Sequence, residues 1–375
     1  MEWNMEFRKL SLVIITAATV IASCKNGKKA THNNTDMATL DVSAANFTDG
    51  VTLTKVPCTL SDGTETECYK IVTNSTPSDH QMGPWCPEHI TDDAEAGGIW
   101  LKNGEVYDVD GAFIENLSEF YGDSTWQMYD DEGNIFITKT EEDCNNAANP
   151  NVGEEYQNFC VECIPSYITE VTQSYLIPIT PVLQDELTLF SRGHGGGGPG
   201  GPGGADRPDR PERPDNGDRP ERPDGERGPR PDGERGPGGP GGPGNDQNTA
   251  PSTRGIALNG VEFSAPAPVN NILSAYTIAP FDDAGGHINV HQGYHYHTAT
   301  GVSHSIDQND DHSALIGYAL DGIGIYGQLD KNGNAPTDLD EARGHYDAIR
   351  GYHYHVDAAG NNNFINGLKG AYAVD

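Results

Sequence analysis

The residues best suited to chemistry are histidines that alternate with tyrosines in two copies of one short string. Both copies read GH-x5-GYHYH, at residues 286–297 and 344–355. Successive side chains of a strand point to opposite faces, so each copy places two imidazoles on one face and two phenol rings on the other. Two imidazoles about 6.6 Å apart along a strand can both reach one ion at a Zn–N distance of roughly 2.0–2.1 Å. The pattern therefore predicts a metal site built on β-strands.

Matching positions in the two copies give the candidate ligands: His287, His295, His297, His345, His353 and His355. If the two strands face each other, the four histidines of the YHYH strings form one shared site that suits Zn or Cu. His287 and His345 then complete a second site or surround the first. His291 has no counterpart in the second copy and ranks below them, and His80 is an outside candidate. The alternative is that these rings pack a β core and hydrogen-bond to carbonyl groups.

The tyrosines of the two strings are expected to lie in the core, on the face opposite the imidazoles. They are Tyr294, Tyr296, Tyr352 and Tyr354. In a regular strand they take no part in metal binding.

A second, weaker pattern indicates calcium. Asp330, Asn332, Asn334 and Glu341 have the oxygen spacing of an EF-hand loop. Ala335 stands where that loop needs glycine, and no flanking helices are evident. An ordinary turn is the alternative.

The elements that must position the histidines are also repeated. Asn259-Gly260 and Asp321-Gly322, each between apolar runs, indicate β-hairpins. Each hairpin precedes its histidine string by about thirty residues, so a unit of some sixty residues occurs twice between residues 253 and 375. Single units would leave sheet edges unpaired. The predicted fold is all-β, a pseudo-twofold duplicated β sandwich or barrel with a disordered insertion.

The rest of the chain divides by composition. Residues 46–191 are strand-like with frequent turns; Tyr129-Asp130 opens a predicted hairpin, and residues 175–181, which contain two prolines, suggest an edge strand. Residues 192–252 are nearly all Gly, Pro, Arg, Asp and Glu, a composition typical of disorder. No long helix is expected after the N-terminal segment.

The N-terminus predicts export. Arg8-Lys9 and an apolar run over residues 10–22 form a signal peptide (residues 1–23), too short to span a bilayer. The run ends in Ile21-Ala22-Ser23-Cys24, which resembles a bacterial lipobox and implies lipidation of Cys24. Residues 24–45 then form a flexible tether, and the membrane is a partner through the lipid. An ordinary signal peptide is the alternative.

Cysteine content and net charge indicate the compartment and the partners of the protein. Six cysteines remain after Cys24, all before residue 164, and an even number in an exported chain favours disulfides. Cys160-x2-Cys163 could instead be a redox pair. The net charge of −33 disfavours nucleic acid as a partner and attracts cations.

These segments together resemble the bacterial YHYH-domain family. The resemblance depends on both strings, on the hairpins, on residues 312–322, on Asp338-Leu339-Asp340 and on residues 76–85. It spans about residues 60–375, with residues 192–252 as an insertion between an N-terminal part (46–191) and a duplicated core (253–375). What it implies about function is little beyond export.

Three functions fit this sequence. The first is an exported, lipid-anchored protein of the bacterial cell envelope that binds Cu or Zn. The second is an extracytoplasmic metalloenzyme, hydrolytic or oxidative, with an open coordination position. The third is a cell-surface adhesion or matrix module with structural histidines.

Overall fold

The computed structural model describes residues 39–73, 75–147, 153–168, 171–190 and 252–374. The predicted signal peptide, Cys24, most of the predicted tether and nearly all of the predicted insertion lie outside these residues. The described residues all fall within one compact unit. Among them, no helix is both long enough and apolar enough to cross a membrane.

Strands dominate the part of the chain before the insertion. They are β1 (Thr52–Thr59), β2 (Glu65–Val72), β3 (Ile99–Lys102), β4 (Glu105–Asp108), β5 (Ser174–Pro178) and β6 (Leu183–Leu189). Three short helices lie between them: α1 (Gly111–Glu115), α2 (Leu117–Tyr121) and α3 (Glu141–Ala147). Short 3-10 turns occupy Ala44–Asn46, Glu154–Tyr156 and Pro165–Tyr167. The predicted hairpin at Tyr129 is reduced to a single antiparallel bridge between Tyr129 and Ile135.

The part after the insertion contains nine strands and one short helix. They are β7 (Gly255–Ala257), β8 (Glu262–Phe263), α4 (Val269–Leu273), β9 (Gly286–Asn289), β10 (Gly293–Tyr296), β11 (Leu315–Ala319), β12 (Gly324–Tyr326), β13 (Gly344–Asp347), β14 (Gly351–His355) and β15 (Gly367–Gly370). The longest helix of the described residues has seven residues. The all-β prediction is therefore confirmed.

The duplication is visible in the central sheet, whose strand order is β13-β14-β12-β11-β7-β8-β10-β9. Each half has the same arrangement: a hairpin, then a parallel pairing to the YHYH strand, then an antiparallel strand at the edge. The halves meet at β7 and β11, where Ile256 pairs with Tyr318 and Gly255 with Ala319. Ile256 and Tyr318 occupy equivalent places in the two repeats, so the pseudo-twofold axis passes through this pair. The sheet is open rather than closed into a barrel.

The two faces of the central sheet bury different cores. On one face, the three-stranded sheet β1-β2-β5 contributes Ile71 and Ile177, which pack with Ile256 and Tyr318 in a sandwich-like arrangement. As predicted, β5 lies at the edge of that smaller sheet. The YHYH tyrosines belong to the core on the other face, together with Phe263, Phe364 and Trp85. Because Trp85 and Cys144 share this core with the duplicated segment, the parts before and after the insertion fold together.

Three disulfides crosslink the part before the insertion: Cys58–Cys68, Cys86–Cys160 and Cys144–Cys163. The prediction of disulfides is confirmed. The alternative of a Cys160–Cys163 redox pair is wrong, because each of the two cysteines is bonded to a different partner.

The end of the predicted tether is packed against the folded unit. Val42 is 3 % exposed, and its amide donates to the carbonyl of Ile179 at 2.8 Å. The Leu40 amide donates to the Arg350 carbonyl at 3.3 Å. The predicted flexible tether of residues 24–45 therefore extends too far, because its last residues are part of the folded unit.

Candidate metal centres

The first histidine cluster lies on the edge pair β9–β10. His287 and His295 are directly opposite each other in this antiparallel pair, and His297 follows two residues later on the same face. The Nε2 atom of His287 is 3.1 Å from the Nε2 of His295 and 3.1 Å from that of His297. His295 and His297 are buried, and His287 is partly exposed. Three imidazoles thus converge on one point.

The second cluster repeats this geometry on β13–β14 and adds a fourth ring. His345 lies opposite His353, and their Nε2 atoms are 3.0 Å apart. His355 Nε2 is 3.1 Å from His345 Nε2. The loop before β11 supplies His312, whose Nε2 is 3.0 Å from that of His353. His312 is a site residue that the repeat-based prediction missed.

In most of these rings the second nitrogen, Nδ1, faces a hydrogen-bond acceptor. In the YHYH strands the Nδ1 atoms lie near backbone carbonyls: His295 to Gly293 at 3.0 Å, His297 to Ala265 at 2.6 Å, His353 to Gly351 at 3.1 Å and His355 to Gly327 at 2.9 Å. Outside those strands, His312 Nδ1 is 3.0 Å from the Ser313 carbonyl, and His345 Nδ1 is 2.8 Å from the Asp338 carboxylate. Carbonyls only accept hydrogen bonds, so each such Nδ1 carries the proton.

A proton on Nδ1 leaves Nε2 of a neutral ring with a bare lone pair. In the second cluster all four Nε2 atoms are of this kind, and bare nitrogens 3.0–3.1 Å apart cannot hydrogen-bond to one another. A tetrahedral ion with bonds of roughly 2.0–2.1 Å would hold such nitrogens about 3.3–3.4 Å apart. Metal-binding histidines commonly direct the other ring nitrogen to a carbonyl or carboxylate. The arrangement therefore suits a metal ion.

Burial favours the neutral form of six of these seven rings. Desolvation lowers the pKa of His297 and His355 to about 3 and that of His353 to about 4. Desolvation is also the main cause that lowers the pKa of His295 and His312, and the pKa of His287 falls well below its usual value. At neutral pH the lone pairs are free for a cation.

The tyrosines of the motif lie on the opposite face, as predicted. Tyr294 donates to the Asp282 carboxylate at 2.8 Å, and Tyr352 donates to Asp340 at 2.7 Å. The other oxygen of Asp340 accepts the Gly344 amide at 3.0 Å, just before His345. In the first repeat, an oxygen of Asp282 likewise accepts the Gly286 amide, just before His287. These carboxylates hold the edge strand against the YHYH strand, which fixes the histidine pairs in register.

One shared site is ruled out by the strand order. β10 and β14 are separated by four strands, so five inter-strand steps lie between them. At a spacing of about 4.8 Å per step, this places the clusters about 24 Å apart. The prediction that His295, His297, His353 and His355 share one ion is wrong, because the pseudo-twofold axis relates the two strands at opposite ends of a sheet. His287 and His345 instead complete separate clusters.

The other candidates lie away from both clusters. His80 bonds through Nδ1 to Asp79 at 2.9 Å and through Nε2 to the Tyr294 hydroxyl at 3.2 Å, on the tyrosine face. His291 is exposed in the turn between β9 and β10. Among the described residues, only the two histidine clusters bring three or more His, Cys, Asp or Glu ligand atoms together.

The calcium loop is better described as a closed turn. The Oδ1 atom of Asp330 accepts the amides of Asn332 and Asn334, each at 2.8 Å. Asp130 makes the same bonds to Glu132 and Asn134 in a second Asp-x-x-Gly-Asn turn. Because the Asp330 carboxylate accepts the amides of its own turn, as the Asp130 carboxylate does, turn geometry explains the spacing of Asp330, Asn332 and Asn334.

A cleft of about 600 Å³ opens beside the second cluster. Its walls include His312, His345 and His355. Five aspartates also line it: Asp310, Asp311, Asp330, Asp338 and Asp347. The Asp347 carboxylate lies 3.9 Å from His312 Nε2 and 3.8 Å from His353 Nε2. Its counterpart in the first repeat is Asn289, so only the second cluster has an acid at this place.

One of the comparisons with known proteins found a match. Residues 243–338, about a quarter of the chain, match the family model described as "YHYH protein". The chain contains a YHYH domain. The matched range, which ends at residue 338, includes the first YHYH string and His312, whereas the second string begins after it, at Gly344. No curated protein and no solved structure matches the chain.

Proposed function

We propose that this protein is an exported metal-binding lipoprotein whose YHYH domain holds a transition-metal ion, Cu or Zn, in each histidine cluster. The proposal rests mainly on the second cluster, where four Nε2 lone pairs converge at 3.0–3.1 Å with no proton to share. Neutral imidazole suits both metals. The three disulfides support an oxidising compartment outside the cytoplasm.

Copper spectroscopy tests the metal-binding part. Metal-free protein titrated with Cu²⁺ should give electron paramagnetic resonance spectra with nitrogen hyperfine coupling up to two equivalents. The His345→Ala variant should lose the signal of the second cluster, while His291→Ala should keep both. Oxygen-only ligation, or spectra unchanged by His345→Ala, would contradict the proposal.

Membrane anchoring is tested separately at Cys24. With the complete precursor expressed in a bacterial host, the wild-type protein should sediment with membranes and incorporate labelled fatty acid. Cys24→Ala should be exported without the label and leave the membrane fraction. Equal labelling of both proteins would exclude lipidation at Cys24.

One observation favours catalysis as a second candidate function. The Asp347 carboxylate lies 3.8 Å and 3.9 Å from two Nε2 atoms at the cleft, where it could bind or orient a metal-bound water. If the second cluster is catalytic, Asp347→Asn should retain the metal and lose turnover of the substrate. A variant with unchanged metal content and full turnover would remove Asp347 from the mechanism.

A further inference from the structure

The two clusters differ in their surroundings although their strands are related by the pseudo-twofold axis. In the first cluster, the buried Phe281 ring lies 5.6 Å from the His287 ring and 5.5 Å from the His297 ring. In the second, the side chains of His312 and His345 are 15 % and 16 % exposed and border the cleft. An ion can thus approach the second cluster through a passage lined with carboxylates.

The charge of this passage is strongly negative. Its five aspartates face one buried arginine, Arg350, which donates to Asp347 and Asp310 at 2.5 Å each. Lys331 lies nearby and donates to the Asp310 carbonyl at 2.9 Å. Two cations against five carboxylates leave an excess of negative charge. Such a cleft concentrates cations and raises their rate of association.

Buried ligands lie at the inner end of the passage. His353 is 1 % exposed and His355 is 2 % exposed, and within the described part of the chain the neighbours of their Nε2 atoms at hydrogen-bonding distance are other imidazoles. The carboxylates therefore lead to lone pairs that have no proton to share. Asp338, whose carboxylate accepts from His345, and Asp347 lie where the carboxylate-lined passage meets the buried histidines.

From these observations we infer that the acidic cleft is the entry path for divalent cations to the second cluster. This inference rests on metal binding by that cluster, as proposed above. The second cluster exchanges its ion with the surroundings, and the first cluster loads and releases its ion more slowly. The ligand is a divalent transition-metal cation, which the protein captures from dilute solution and can pass on.

Stopped-flow binding of Co²⁺ tests this path, because its visible absorbance reports ligation. The wild-type protein without bound metal should load in two phases, with the fast phase missing in His345→Ala and the slow phase missing in His287→Ala. Asp311→Asn/Asp330→Asn removes two cleft charges; asparagine preserves the turn at residue 330. This variant should slow the fast phase by about fivefold at low ionic strength. At about 0.5 M salt the difference should vanish, because screening shortens the reach of these charges.

The matched control is Asp130→Asn/Asp131→Asn, which removes the same charge from the equivalent Asp-x-x-Gly-Asn turn elsewhere. It should leave the fast phase within about 1.5-fold of wild type. Equal slowing in both double variants, or none in either, overturns the entry path while metal binding stands. The rate of the fast phase in the wild-type protein can also be measured against salt concentration, which needs no substitution. A rate that is unchanged between about 0.02 and about 0.5 M salt would also overturn the entry path. Absence of any Co²⁺ absorbance dependent on His345 refutes metal binding itself.

Discussion

At the scale of single residues, the chemistry depends on which ring nitrogen carries the proton. Carbonyls at Gly351 and Gly327 hold the Nδ1 protons of His353 and His355, so both Nε2 atoms point bare into the second cluster. The same pattern in the first repeat uses Gly293 and Ala265. Main-chain groups at repeated positions thus prepare both sites before any ion binds.

His312 should be as important as the motif histidines. It is one of the four histidines of the second cluster, so His312→Ala should weaken metal binding there by about 100-fold or more. His291→Ala should change affinity by less than twofold, because that exposed side chain lies outside both clusters. Competition with a chromophoric chelator measures both values. Equal affinities for His312→Ala and wild type would remove His312 from the ligand set.

Asp338 should tune the same site through His345. Its carboxylate accepts from Nδ1 at 2.8 Å, which orients the ring and makes Nε2 more basic. Asp338→Asn keeps an acceptor oxygen but loses the charge, and we expect affinity at the second cluster to fall by about 10-fold to 100-fold. The first cluster should be unaffected. An equal loss at both clusters, measured by the same competition, would indicate a general effect on folding.

At this scale, the sequence alone predicts the six repeated histidines and the strand face on which they lie. The alternation of histidine and tyrosine is enough for that, because side chains of a strand alternate. His312 was not predictable in this way, since its counterpart in the first repeat is Ala250. The only signal was its place at the start of the segment that resembles the YHYH family.

At the scale of elements, each site is an antiparallel strand pair held by a contact between a buried tyrosine and an aspartate. A Cβ added at Gly344 would lie 2.1 Å from the Tyr352 hydroxyl oxygen, so Gly344 is required for that contact. Gly344→Ala should push the ring from Asp340 and destabilise the protein by about 1–3 kcal/mol.

Gly327→Ala is the control for this change. Apart from its chain neighbours, the nearest atom of the described residues to a Cβ there would be Ser313 Cβ at 3.7 Å, so the free energy of unfolding of Gly327→Ala should remain within about 0.5 kcal/mol of wild type. Urea unfolding of both variants measures the difference. If Gly344→Ala were as stable as Gly327→Ala, the Tyr352–Asp340 contact would not fix the strand pair.

The hairpins at Asn259-Gly260 and Asp321-Gly322 could be predicted because their turn residues are local signals. The position of the YHYH strands could not. Each pairs in parallel with the second strand of its hairpin, β10 with β8 and β14 with β12. That crossover moves the histidines toward the ends of the sheet, and no local pattern encodes a pairing across about thirty intervening residues.

At the scale of the whole molecule, the buried neutral histidines make metal-free stability depend on pH. In the unfolded chain they bind protons near pH 6.5, whereas burial holds the folded pKa of His353 at about 4 and that of His355 at about 3. The unfolded state therefore gains protons first as pH falls. Stability should decline from about pH 6.5 toward pH 4.

Buried carboxyls act in the opposite direction but are fewer. Desolvation raises the pKa of Asp321 to about 6, so its contribution increases as pH falls. Six histidines with lowered pKa outweigh it. Urea unfolding in the presence of a chelator at pH 7, 6 and 5 should show a steady loss of stability. A constant or rising free energy of unfolding over this range would contradict the assignment of neutral, buried rings.

The pseudo-twofold sheet gives the molecule two separate histidine clusters that could each hold a metal ion, rather than one shared site. Metal analysis of protein loaded with Zn²⁺ and then desalted tests this directly, with wild type beside His295→Ala, His353→Ala and the double variant. We predict two ions per chain in the wild type, one in each single variant and none in the double variant. Loss of all metal in either single variant, or equal metal content in the wild type and the double variant, would contradict the account.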